Sequence, residues 1–151
     1  MSKYEDANLI LKLYELRREE LLRKARNYYS SQFHPETIED IWKATMNEET
    51  GAYVRMVTTY WDMAATLVNH GAIDMAMFSE ANGEYLGVFA KIEPFIEQIR
   101  AAYPGAGRFL LNLEKLVDSM PEGRQQTAKI REWQKSMREQ MLTREKQAAS
   151  A

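Results

Sequence analysis

Apolar residues recur at spacings of three and four along almost the whole chain, and strict apolar–polar alternation is absent. The pattern predicts helices throughout and no sheet. Over about residues 4–33, Leu9, Ile10, Leu13, Tyr14, Leu16, Leu21, Leu22, Ala25, Tyr28 and Tyr29 predict one long first helix. The rows Ala7, Tyr14, Leu21, Tyr28 and Tyr4, Leu11, Arg18, Ala25 repeat every seven residues, which places a seam against another helix, although Arg18 interrupts it. Pro35 fits a first-turn position of a short second helix, with Glu36, Glu39 and Asp40 at its positive end and Ile38, Ile41, Trp42 and Thr45 on its buried face. Residues 47–51 read as a connector. A third helix over about 52–69 buries Tyr53, Val54, Val57, Tyr60, Trp61, Ala64, Leu67 and Val68.

The corner that follows is specified residue by residue. Gly71 suits the left-handed end of a helix, and Asp74 suits the N-cap of the next. Ile73 and Phe78 stand where a hydrophobic staple would join them. A short helix over 75–81 is stopped at Asn82-Gly83, and a longer one over 84–103 is expected to kink at Pro94. After the break at 104–107, residues 108–120 predict a helix that buries Phe109, Leu110, Leu113, Leu116 and Val117. The last helix, about 124–146, is polar except for Ile130, Trp133, Met137 and Met141. So narrow a seam is expected to dock on one neighbour: the first helix, or a second copy.

Composition narrows the picture. With 151 residues, 45% of them hydrophobic and 11% aromatic, the chain is expected to form one folded domain, 1–147, with a frayed tail at 148–151. The absence of cysteine removes disulfides, thiolate metal sites and cysteine nucleophiles, and fits a cytoplasmic location. No uninterrupted apolar stretch predicts a signal peptide or transmembrane segment. Residues 1–30 carry seven basic and five acidic side chains, 31–121 six and thirteen, and 122–151 seven and four. Basic terminal helices are therefore expected to lie against an acidic middle, and the asymmetry is too small for a nucleic-acid surface.

Candidate chemistry is sparse. His34 and His70 stand outside any helical metal-ligand pair, so no metal or other cofactor is predicted; His70 reads as a residue near a helix C-terminus and His34 as a turn residue. Asp62, directly after Trp61, could be an acid or base with a raised pKa. The plainer reading is a structural carboxylate paired with Arg55 or Arg100. Met56, Met63, Met75 and Met77, with Tyr53, Tyr60 and Phe78, could line an adaptable apolar pocket, but core packing is the favoured reading. There is no phosphate-binding loop and no nucleophile motif.

The run Tyr60–Trp61–Asp62, the corner Gly71, Ile73, Asp74 and the end Pro94, Ile96, Arg100 together resemble a family of small bacterial all-helical proteins catalogued as a domain of unknown function. The resemblance implies a helical fold and a bacterial source, and no reaction. Many relatives carry a membrane helix at the N-terminus, where this chain has a charged amphipathic one.

The expectation is an all-α single-domain bundle of six or seven helices with long first and last helices. Its expected role is an interaction or scaffold module that self-associates as a homodimer or binds another protein. A small-molecule site between the third and fifth helices is the alternative, and an enzyme ranks third. Asp62, Arg100, Tyr60, Trp61, His70 and Asp74 are the structural or pocket candidates. Tyr14, Leu21, Ile130, Trp133, Met137 and Met141 are the interface candidates.

Overall fold

The computed structural model describes residues 2–151, so Met1, the first residue of the expected domain, lies outside the described residues. The chain is 81% helical, and among the described residues there is no strand. The helices are α1 (Lys3–Arg17), α2 (Glu20–Ser31), α3 (Ile38–Met46), α4 (Glu48–Asn69), α5 (Met75–Ala81), α6 (Glu84–Ile92), α7 (Ile96–Arg100), α8 (Leu111–Ser119) and α9 (Gly123–Ala149). Short 3-10 turns occupy Glu93–Phe95 and Ala106–Arg108.

These nine helices exceed the six or seven expected because caps cut the chain where periodicity continues. The long first helix is two. Arg18 ends α1, and the Glu19 carboxylate accepts from the N–H groups of Leu21 (3.0 Å) and Leu22 (2.9 Å), starting α2 as a separate helix. Pro35 precedes its helix rather than opening it; Thr37 and Asp40 form a capping box at the start of α3. The expected connector at 47–51 is instead the first turn of α4, capped by Asn47 through Glu49 and Thr50. Gly51 is needed there, because a Cβ would stand 2.4 Å from the Thr45 carbonyl oxygen where α3 meets α4. The helix expected over 84–103 ends at Arg100 and is interrupted at Pro94, where the chain tightens into the 3-10 turn. At the other end, α9 continues through the expected frayed tail to Ala149.

The central helix is α4, which packs against α2, α3 and α8, while α6 carries α9. Val57, Trp61, Ala64 and Ala65 of α4 share one core with Phe78 of α5, Tyr85 and Phe89 of α6, and Leu113 and Leu116 of α8. The expected corner forms: Gly71 has φ +78°, Asp74 accepts from Met77 N–H (2.9 Å), and Ile73 and Phe78 are both buried. α1 is tied to this corner, because the buried Asp6 accepts from Asp74 N–H at 2.9 Å.

The terminal helices do meet the acidic middle, but not as the apolar seam suggested. α9 docks on α6 through a polar stripe. Thr127 donates to Glu93 (2.7 Å), Arg131 to the Ala90 carbonyl (2.9 Å), and Gln134 to the Gly87 carbonyl (3.1 Å). As the α9 number rises its partner's number falls, so the two helices are antiparallel. Arg124 adds ion pairs to Glu93 (3.2 Å), Glu114 (3.0 Å) and Asp118 (2.6 Å). The turn into α9 leaves no slack, since a Cβ on Gly123 would lie 1.9 Å from the Val117 carbonyl oxygen. Gly123→Ala is therefore expected to cost about 1–3 kcal/mol. Amide exchange should accelerate first in α9, and unchanged exchange there would refute the tight junction.

Candidate functional site

Three places bring polar groups together. The first is the start of α8. Leu110 precedes that helix in a left-handed conformation (φ 54°) and gives it no side-chain cap. Asp62 of α4 supplies the cap from outside. Its Oδ1 accepts from the N–H groups of Asn112 (3.1 Å) and Leu113 (2.9 Å), and its Oδ2 from the Asn112 amide (3.0 Å). A carboxylate at a helix N-terminus is where the dipole and the orphan N–H groups both favour it. The expected pairing with Arg55 or Arg100 is replaced by these bonds. Arg100 turns to the same helix from the other side, donating to the Phe109 carbonyl (2.9 Å) and to Glu114 (3.0 Å). Its Nη2 is buried without a partner.

The second place is the aromatic centre between α4 and α6, where a small-molecule pocket was expected. Trp61, Phe78 and Tyr85 fill that space instead, with ring centroids 5.1–6.4 Å apart. Tyr60 meets Trp61 edge-on and donates its hydroxyl hydrogen to the Leu13 carbonyl. Burial pushes the Tyr60 hydroxyl up to about 12. Of the methionines considered, Met63 and Met75 are exposed. His70 is the exposed C-cap residue of α4, and Asp74 is spent on capping α5. Among the described residues no group of three or more His, Asp or Glu could hold a metal ion.

The third place was not expected. A groove of about 660 Å³ runs between α2 and α9 with α6 as its floor. α2 lies parallel to α6: Arg26 forms a two-armed ion pair with Glu84 (2.6 and 2.9 Å), and Tyr29 donates to the Val88 carbonyl (2.7 Å). At the groove's end Lys91 donates to the carbonyls of Tyr29, Ser30 (3.3 Å) and Phe33 (2.8 Å), closing the C-terminus of α2. Burial, aided by the Arg138 charge, draws Lys91 down to about 8. His34 is lowered as well, by burial and then by Lys91. Trp133, Met137 and Met141 form the apolar wall on α9. A signal for Lys91 was present, a lone lysine inside the apolar run Val88–Phe89–Ala90–Lys91–Ile92. Without the helix pairing it could not be assigned a partner.

The interface candidates divide between two surfaces. Tyr14 and Leu21 are exposed on α1 and α2, while Trp133, Met137 and Met141 border the groove and Ile130 is half-buried beside it. No described helix is long and apolar enough to cross a membrane. A family model described as "Domain of unknown function (DUF4760)" matches residues 4–120, which takes in α1 to α8 and stops before α9. No curated protein and no solved structure matches the chain.

Proposed function

The chain belongs to the DUF4760 family, whose description assigns no activity, and from that premise we propose an interaction module that self-associates through the outer face of α1. The observation that carries this is a helix apolar on both sides. At 100° per residue, Asp6, Leu9, Ile10 and Leu13 share the side that meets the domain, while Tyr4, Leu11 and Tyr14 fall within about 80° on the opposite side. Tyr4 is 76% and Leu11 60% exposed. A helix apolar on both sides is ordinarily covered on both.

A second copy fits this face better than an unrelated partner. By the same rotation Lys3 stands beside this face near its start, and Glu15 and Arg18 near its end. Two antiparallel copies would set each Lys3 against the other's Glu15 and oppose the helix dipoles in a self-complementary two-fold interface. Leu11→Glu is expected to convert a dimer into a monomer by light scattering without altering the helical circular dichroism. A wild-type chain that remains monomeric across a wide concentration range would refute self-association. The second reading, small-molecule binding, is favoured by one observation, the α2–α9 groove, whose size falls in the range of ligand sites.

A further inference from the structure

The groove between α2 and α9 has an uneven charge. Its lining side chains include Arg23, Arg26, Lys91 and Arg138 against one acid, Glu84, in a chain whose net charge is -2. Glu84 is already engaged by Arg26. At the other end His34, Lys91 and Arg138 converge; the carboxylates nearest them, Glu36 and Asp40, line the adjoining pocket and not this groove, and Asp40 is engaged by the N–H groups of Glu36 and Thr37. Burial first, and the neighbouring charges after it, lower the affinity of His34 and Lys91 for protons, with Arg138 contributing in both cases. Lys91 has spent its donors on three carbonyls, so it offers field rather than hydrogen bonds. Among the described residues Arg138 and Arg23 have no ion-pair partner, and they retain donors for an anion.

Beside this cationic end lies the apolar wall. Trp133, Met137 and Met141 succeed one another every four residues on α9, and Trp133 is 63% exposed. Their stretch covers about 12 Å of helix, as does Arg23 to Ser31 on the facing wall. The α9 backbone is held by its polar stripe, so these three side chains are not needed to dock it. Methionine and tryptophan together suit a flexible or flat apolar ligand.

We propose that this groove binds a single-chain anionic amphiphile, a fatty carboxylate or alkyl phosphate, with its head at Arg138 and its chain along Trp133, Met137 and Met141. The charge excess selects an anion, the wall selects an apolar tail, and the short trough selects one chain over a broad surface. The site is separate from the outer face of α1, so the dimer and the ligand stand or fall independently.

Calorimetric titration of the full chain with dodecanoate and with dodecyl phosphate, each below its micelle-forming concentration, tests the proposal. Saturable one-to-one binding of either is expected, and their ratio identifies the head group. The uncharged alcohol of equal chain length should bind at least roughly tenfold more weakly, and Arg138→Gln should weaken binding by roughly the same factor. Trp133→Ala should also weaken it, while Arg108→Gln, outside the groove, should not. Both groove side chains are partly exposed, and circular dichroism of each variant checks that the fold is retained. Equal binding of the alcohol, indifference to Arg138→Gln in a folded variant, or no binding of either amphiphile would overturn the proposal. So would saturable binding of a short acidic amphipathic peptide with neither amphiphile bound, which would make the groove a protein-docking site.

Discussion

Trp61→Ala is expected to lower the free energy of unfolding by about 3–5 kcal/mol, the range for removing a fully buried large aromatic side chain. Trp61 is 1% exposed and touches the rings of Tyr60, Phe78 and Tyr85 from three elements. Its indole N–H reaches Glu84 at only 3.4 Å, and Arg17 stacks over the ring at 5.8 Å. The loss should therefore follow ring volume, and Trp61→Phe should cost clearly less. Chemical denaturation followed by circular dichroism measures both. A loss under about 1 kcal/mol for the alanine variant would mean that the aromatic centre is not what holds α4, α5 and α6 together.

Asp62→Ala is expected to cost about 2–3 kcal/mol, combining the loss of a helix cap with two backbone N–H groups left without acceptors in a half-buried position. Asp62→Asn keeps one acceptor oxygen and should fall between. The effect should be local as well as global: amide exchange at Asn112 and Leu113 should rise before that of α4 itself. An unchanged melting temperature in Asp62→Ala would exclude the capping role and return the residue to consideration as a chemical group.

These two residues show where sequence reading succeeds and where it stops. Trp61 was legible as core because Val57, Ala64 and Ala65 stand three or four positions from it. Asp62 was legible as unusual because Trp61 precedes it and Met63 and Ala64 follow it, yet its partner stands fifty positions away on α8, and no local spacing can name it. The corner from Gly71 to Phe78 was readable in full because cap, staple and left-handed glycine all act within eight residues. The break between α1 and α2 was not. Glutamate is a good helix former, and the row Ala7, Tyr14, Leu21, Tyr28 runs past Glu19 unbroken. Only its side chain turning back onto Leu21 and Leu22 shows that it starts a helix. The docking face of α9 was missed for a different reason: apolar spacing finds surfaces that seek burial, whereas α6 presents carbonyls here and Glu93 just beyond it a carboxylate.

That polar stripe separates two duties usually fused in a helix. An apolar seam can slide by a turn and still bury area, but Thr127 binds Glu93 just past α6, and Arg131 and Gln134 bind the Ala90 and Gly87 carbonyls within it, so α9 has a single register. Trp133, Met137 and Met141 are thereby relieved of holding the helix in place. Their identities can change, by drift or by design, to suit what the surface meets while the helix stays where it is.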